Sequence, residues 1–197
     1  MKICIVGGTG NIGQAIVKKL LKAGHEVYCF NRGIKNKVPD GAHLIIGDRN
    51  EEKSFEELIQ NHYFDIAIDM ICMNSNHAQS SIRAFKSVKH LIVISSISTY
   101  GFVHKIYPVK EDEELKPTSS YGKNKAEADR IFLESYKQKN FPVTIVKLSQ
   151  TYGPDAGLLR QISTDFSWID RIRKGKPIII CDNGSARCQF MHVSDVA

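Results

Sequence analysis

Tyr121 and Lys125 stand four residues apart in the stretch SSYGKNKAEAD (Ser119–Asp129), whose pattern predicts a helix, so both side chains share one helical face. A lysine ammonium near a phenol favours the phenolate, drawing a hydroxyl that ordinarily titrates near ~10 toward working pH, where it can exchange a proton with a substrate hydroxyl. Such a pair is an acid/base device. Upstream, ISSISTYG (Ile94–Gly101) ends an apolar run in a cluster of hydroxyls, and Ser96 is the best placed of them to hydrogen-bond the same substrate oxygen. In open α/β sheets ligands gather at the carboxyl ends of the strands, which is where Ser96 falls.

A second constellation lies at the amino end. GGTGNIG (Gly7–Gly13) follows the apolar run Ile3-Cys4-Ile5-Val6 and precedes an amphipathic segment. Strand, G-x-x-G-x-x-G and helix together are the setting that dinucleotide binding requires. Gly7 permits the tight turn, Gly10 lets the backbone approach a pyrophosphate, and Gly13 lets the helix pack close to the sheet. The phosphates would meet the free N–H groups and positive dipole end of the helix, with Asn11 and Ile12 in the same cradle.

The end of the next strand tests the cofactor. A carboxylate there would bind the ribose hydroxyls of NAD, but VYCFNRG places Asn31 and Arg32 at that position, with Asn31 eighteen residues past Gly13. A guanidinium beside a missing carboxylate pairs with a 2′-phosphate and removes the repulsion against it, so NADP is favoured and NAD remains possible. Asp48 in GDRN has two compatible roles: capping the next helix, or accepting from the adenine amino group.

These residues need a scaffold. Strands are expected at Lys2–Val6, Glu26–Phe30, His43–Ile46, Phe64–Ile71, His90–Ser95, Pro142–Leu148 and Pro177–Cys181. Helical patterns fall at Asn11–Ala23, Glu51–Gln60, His77–Phe85, Tyr121–Lys137 and Gln161–Lys174. In the first of these, Ile12, Ile16, Val17, Leu20 and Leu21 form the apolar face and Gly24 the stop. Val- and Ile-rich strands alternating with helices specify an α/β fold: a doubly wound parallel sheet of about seven strands, covered on both faces. The irregular stretch Gly101–Ser120, with KEDEEL and two prolines, has the length of a functional loop.

With 197 residues, 42% hydrophobic and 24% charged, the chain has the balance of one globular domain. It contains neither a signal-peptide apolar core nor a run of the ~18 apolar residues that spans a membrane, so a cytoplasmic protein is expected. Five cysteines, at 4, 29, 72, 181 and 188, form no C-x-x-C pair and read as reduced, mostly buried thiols, and no zinc spacing appears, so no metal is expected. A net charge of +6 suits phosphorylated ligands. The basic cluster Arg32, Lys35 and Lys37 permits nucleic acid, but without interleaved aromatics on a sheet face it reads as solvated surface.

GGTGNIG, NRG, GDRN, SSISTYG, YGKNK, KLSQTYGP and RCQFMHVSDVA, taken together from Met1 to Ala197, resemble the extended short-chain dehydrogenase/reductases, the NAD(P)-dependent epimerase/dehydratase family. The resemblance implies that Ser96, Tyr121 and Lys125 are catalytic, that Lys125 also contacts the nicotinamide ribose, and that Ser149–Pro154 passes near the nicotinamide while Gln189–Asp195 leads into the substrate lobe. It implies hydride transfer on a nucleotide sugar or another polar alcohol or ketone, in an epimerase, dehydratase or reductase, and a possible homodimer through the helix bearing Tyr121 and Lys125. Lys147-Leu148 depart from the Arg-Pro that the family often has. The motifs NRG and GDR are similar to those of a subgroup that includes chloroplast RNA-binding members, which gives the alternative: a non-catalytic module binding RNA or a protein partner. Full-length members continue into a substrate-binding lobe, so residues 1–197 are expected to be one dinucleotide-binding domain truncated before most of it, binding cofactor with poor or absent turnover.

Overall fold

The computed structural model describes residues 1–34, 37–102, 104, 107–154, 167–180, 183–185 and 189–197. Six parallel strands form its main sheet: β1 (Lys2–Val6), β2 (Glu26–Asn31), β3 (His43–Ile46), β4 (Ile66–Asp69), β5 (His90–Ser96) and β6 (Val143–Leu148), in the spatial order β3-β2-β1-β4-β5-β6. The helices are α1 (Asn11–Lys22), α2 (Glu52–Gln60), α3 (Ser75–Ala84) and α4 (Ser120–Lys139), with a 3-10 turn at Ile97–Thr99. Two short strands, β7 (Gln150–Tyr152) and β8 (Phe190–His192), pair in parallel beside the sheet, and α5 (Ser167–Arg173) and α6 (Val193–Val196) complete the described elements. Among the described residues no helix is long and apolar enough to cross a membrane.

The doubly wound character follows from alternation along β1. Cys4 and Val6 join Phe55, Phe85 and Phe132 in the core under α2, α3 and α4, while Ile3 and Ile5 join Ile16 and Val17 in the core under α1. Successive side chains of a strand point to opposite faces, so an all-apolar strand demands cover on both. On the first face the rings of Phe30, Phe55 and Phe85 meet edge to face, at 5.0 and 6.0 Å between centroids. Cys4, Cys29 and Cys72 are buried free thiols, and burial pushes Cys29 up to about 12. Cys181 and Cys188 lie outside the described residues.

One expectation needs correction. Pro177–Ile180 carry no regular structure, so no strand forms there, and Cys181 lies outside the described residues. The run Pro-Ile-Ile-Ile reads as a strand by composition, yet Ile179 and Ile180 are 67% and 56% exposed, and an apolar run without a sheet to join has no partner for its ladder. The fifth helix starts its described part at Ser167, residues 161–166 being outside the described set.

At the amino end of α1, Gly7 has φ +97°, a conformation that side chains rarely adopt. A Cβ on Gly13 would fall 2.5 Å from the Gly7 carbonyl oxygen and 2.9 Å from the Gly8 backbone, atoms that cannot step aside. Gly13→Ala is therefore expected to destabilise the fold by about 1–3 kcal/mol, read from the midpoint of urea unfolding.

Candidate cofactor cleft and acid/base site

A cleft of about 520 Å³ opens along the carboxyl ends of β1, β2 and β3. The glycine turn forms its floor through Gly7, Thr9, Gly10 and Asn11, and Phe30 to Ile34 and Gly47 to Asn50 form its far end. Gly10 is the N-cap of α1 and offers no side-chain cap, and the first turn of α1 contains no acidic residue. The helix thus presents uncapped N–H groups and an uncompensated positive end to the cleft. A Cβ on Gly10 would meet nothing within 4 Å, so the backbone of this lining residue stands open.

Four buried side-chain atoms lack a hydrogen-bond partner on residues that line this cleft: Asn11 Nδ2 and Oδ1, Asn31 Oδ1 and Arg49 Nε. Buried polar atoms are seldom left unpaired, and here they cluster where a ligand rich in donors and acceptors would lie. Asn31 Nδ2 donates to Thr9 Oγ1 at 3.0 Å, which ties the end of β2 to the glycine turn. Arg32 beside it is exposed. The residues present fit a dinucleotide: backbone amides and a helix start suit a pyrophosphate, and Asn31, Arg32 and Asp48 line the far end of the same cleft.

Of the expected cradle residues, Gly7, Gly10, Asn11, Asn31, Arg32 and Asp48 come together around the cleft. Ile12 instead packs against the core under α1, and buried Gly13 serves the approach of α1 to the turn. Asp48 does not cap α2. Its Oδ1 accepts from the Asn50 backbone N–H and side-chain amide, both at 2.9 Å, and the N-cap of α2 is Glu51. Lys35 of the basic cluster lies outside the described residues, while Lys37 is exposed.

The sequence reading missed Arg49 and its partners. Its side chain is 3% exposed, and Nη2 stands 3.7 Å from Asp69 Oδ2 while donating to the His77 carbonyl and, at 2.8 Å, to Ser81 Oγ. Ser81 Oγ donates on to Asp69 Oδ2 at 2.5 Å, and the guanidinium lies over the Phe55 ring, 4.0 Å from its centroid. The network fixes the β3–α2 connection, which carries Asp48, to the end of β4 and the start of α3. An apolar strand ending in a buried Asp69 was its one visible signal.

The residues expected to do acid/base chemistry stand on β5 and α4. Ser96 closes β5 and caps the 3-10 turn, its Oγ accepting from Ser98 N–H at 3.1 Å and sharing a hydrogen bond with Ser98 Oγ at 3.0 Å. Ser119 caps α4 by accepting from Gly122 N–H, which starts the helix just before Tyr121. Tyr121 is 47% exposed, whereas Lys125, one turn on, is 2% exposed. The Lys125 ammonium donates to the carbonyls of Cys72 and Ile94, both at 2.7 Å, rather than to the Tyr121 hydroxyl. Burial lowers its pKa. Cys72 sits between Ile71 and Met73, which line the cleft, so Lys125 braces the cleft wall from behind and keeps one of its three N–H donors beyond these two bonds.

Residues 3–197 match the NAD dependent epimerase/dehydratase family. The chain belongs to that family. The 2'-dehydrokanamycin reductase of Streptomyces kanamyceticus is 27% identical over 196 residues, covering 99% of this chain and 55% of that protein. The chloroplast stem-loop binding protein of 41 kDa b from Arabidopsis thaliana is 26% identical over 210 residues, covering 100% of this chain and 53% of that protein. The chain spans about half the length of these curated relatives. Among solved structures, dTDP-glucose 4,6-dehydratase from Bacillus anthracis in complex with NAD superposes with a TM-score of 0.81 at 21% identity, covering 100% of this chain and 69% of that one. UDP-glucose 4-epimerase from Thermotoga maritima, with UDP-glucose, gives 0.79 at 21% identity, covering 100% and 71%. The doubly wound sheet is thus the nucleotide-binding fold of epimerase/dehydratase family members.

Two outcomes test this site. Gly10→Ala is expected to weaken dinucleotide binding by at least about tenfold in a fluorescence titration while costing the fold less than about 1 kcal/mol, because its Cβ stands on the cleft lining and meets no protein atom. His77, which also lines the cleft, has its pKa lowered first by burial and then by Arg49, so the unfolded chain takes up a proton that the folded one resists. Stability is then full above the ordinary value of 6.5 and falls as pH drops below it. Between about pH 7.5 and 5.5 the wild-type Tm should drop further than that of His77→Gln, as checked by thermal melts.

Proposed function

We propose that the chain binds NADP(H) in this cleft and carries the acid/base residues for the hydride-transfer chemistry of a reductase, epimerase or dehydratase on a carbinol or ketone, with a nucleotide sugar or another polar alcohol or ketone as the substrate class, residues 1–197 by themselves turning over poorly or not at all. The observation that carries the reading is one cleft that joins the uncapped start of α1 to unpartnered buried atoms of Asn11, Asn31 and Arg49 in its lining. The relative named as a reductase of a dehydrokanamycin, and the solved likenesses holding NAD or UDP-glucose, support the same class of ligand. NADP over NAD is supported by Arg32, an exposed guanidinium next to Asn31 where a carboxylate would repel a 2′-phosphate.

A bound nicotinamide supplies or accepts the hydride at the substrate carbon. The chain's own residues handle the proton and the geometry. In the reducing direction the Tyr121 hydroxyl gives its proton to the carbonyl oxygen as that carbon becomes a carbinol, and in the oxidising direction the phenolate takes it back. Ser96 turns its O–H from Ser98 toward the same oxygen and stabilises the charge developing there. Lys125 holds the cleft wall to β5, and its remaining N–H is available to a cofactor ribose hydroxyl.

Fluorescence titration with NADPH and NADH tests the cofactor: NADPH should bind the tighter, and Arg32→Glu should remove at least about tenfold of that preference. Equal affinities in wild type and variant would contradict the assignment of Arg32. Consumption of NADPH with a panel of keto sugars then tests the chemistry: turnover by residues 1–197 should be poor, and Tyr121→Phe should lower any kcat that is measured by about 10²–10⁴-fold further, at unchanged NADPH affinity.

A further inference from the structure

At the end of β6, the Lys147 ammonium stands 2.7 Å from Asp129 Oδ2 on α4 and 2.7 Å from Thr99 Oγ1 in the 3-10 turn. It also lies over the Tyr100 ring, 4.7 Å from the centroid. Each partner leads to Ser96 or its neighbour. Thr99 Oγ1 donates to the Ser96 carbonyl at 2.9 Å, and Asp129 Oδ2 accepts from Ser95 Oγ at 2.9 Å. Asp129 lies four residues beyond Lys125 and eight beyond Tyr121, about 12 Å along the helix axis from the tyrosine, and like Lys125 it is 2% exposed. One ammonium therefore fastens the turn that carries Ser96 to the helix that carries Tyr121.

Stability alone is a poor reason for this pair. Ion pairs withdrawn from water contribute little compared with apolar residues of the same volume, and their best-attested use is to enforce one arrangement over its neighbours. The arrangement enforced here is close. A Cβ on Gly122, directly after Tyr121, would come 2.5 Å from the Ser98 carbonyl oxygen, so the first turn of α4 rests on the backbone of the 3-10 turn with no side chain between them.

We propose that Lys147, acting through Thr99 and Asp129, is a positioning residue that sets the separation of Ser96 from Tyr121 for proton exchange at the substrate oxygen. The assignment rests on the acid/base reading of Ser96, Tyr121 and Lys125 above. Lys147 touches the two groups that hold the reacting residues and is given no contact with substrate or cofactor. An arginine keeps the charge and reaches both partners with its fork, whereas methionine keeps the stem and loses both bonds.

The test compares the whole wild-type chain with Lys147→Met, Lys147→Arg and the double variant Lys147→Met with Asp129→Asn, which strands no buried carboxylate and so guards against a simple failure to fold. Amide hydrogen exchange should lose about tenfold of its protection in residues 94–102 and 119–127 in the methionine and double variants, regain it in the arginine variant, and stay unchanged around the glycine turn. NADPH affinity should stay within about threefold throughout, while kcat for the keto sugar reduced by wild type falls about 10²-fold, at nearly constant KM, and largely returns with arginine. Unchanged exchange in the methionine and double variants overturns the proposal whether or not any substrate turns over, as does lost protection with kcat intact. If wild type reduces no ketone, the exchange data alone decide whether Lys147 couples the turn to the helix.

Discussion

The withdrawal of charged groups from water along one face of α4 governs where Tyr121 and Lys125 stand. Lys125 is almost wholly buried, and its ammonium is tolerated because the Cys72 and Ile94 carbonyls accept from it. An unpaired charge at that depth would cost several kcal/mol. The helix therefore has little freedom to slide or turn: moving it by a fraction of a turn would strand the lysine, and one turn further on it would strand Asp129 as well. Tyr121, on the same helix, inherits this position while remaining open to solvent.

A comparable economy appears around the cleft. Its floor depends on what is missing: no side chain on Gly10, no cap on α1, no acid in the first turn. Its walls depend on a buried guanidinium. Arg49 joins the β3–α2 connection to Asp69 and α3, so the segment holding Asp48 is stiff even though it is a loop. The Ile71–Met73 segment links the two sites, since its flanking residues line the cleft while the carbonyl between them receives Lys125.

Much of this was legible in the residue order. The apolar runs of β1, β2, β5 and β6 and the apolar face of α1 are periodic signals that survive folding because each element buries the face its pattern announces. The glycine turn was legible for the same reason: Gly7 and Gly13 answer to local geometry. Pro177–Ile180 failed because composition cannot say whether a sheet edge is within reach. Arg49 with Asp69, and Lys147 with Asp129, were invisible because the partners are twenty and eighteen residues apart in the chain and meet only after the strands are ordered side by side. Lys125 was found, yet read chiefly as a neighbour of the phenol, because nothing in the spacing Tyr121 to Lys125 shows which carbonyls the ammonium will meet. The capping role weighed for Asp48 was displaced by a tighter local choice, the turn closed on Asn50.

The strand order has a consequence for how the molecule comes into being. β1 is at the centre of the sheet, paired with β2 on one side and with β4 on the other. Of the six strands it is made before its partners, and its second flank stays open until some sixty more residues, through Asp69, have been made. Until then a strand of five residues, four of them fully buried in the finished protein, waits with one row of backbone groups unsatisfied. Pairings between segments so far apart in the chain form slowly, and an open apolar edge invites the wrong neighbour. The strand that leads into the glycine turn is thus also a point where the nascent chain is exposed to misassembly.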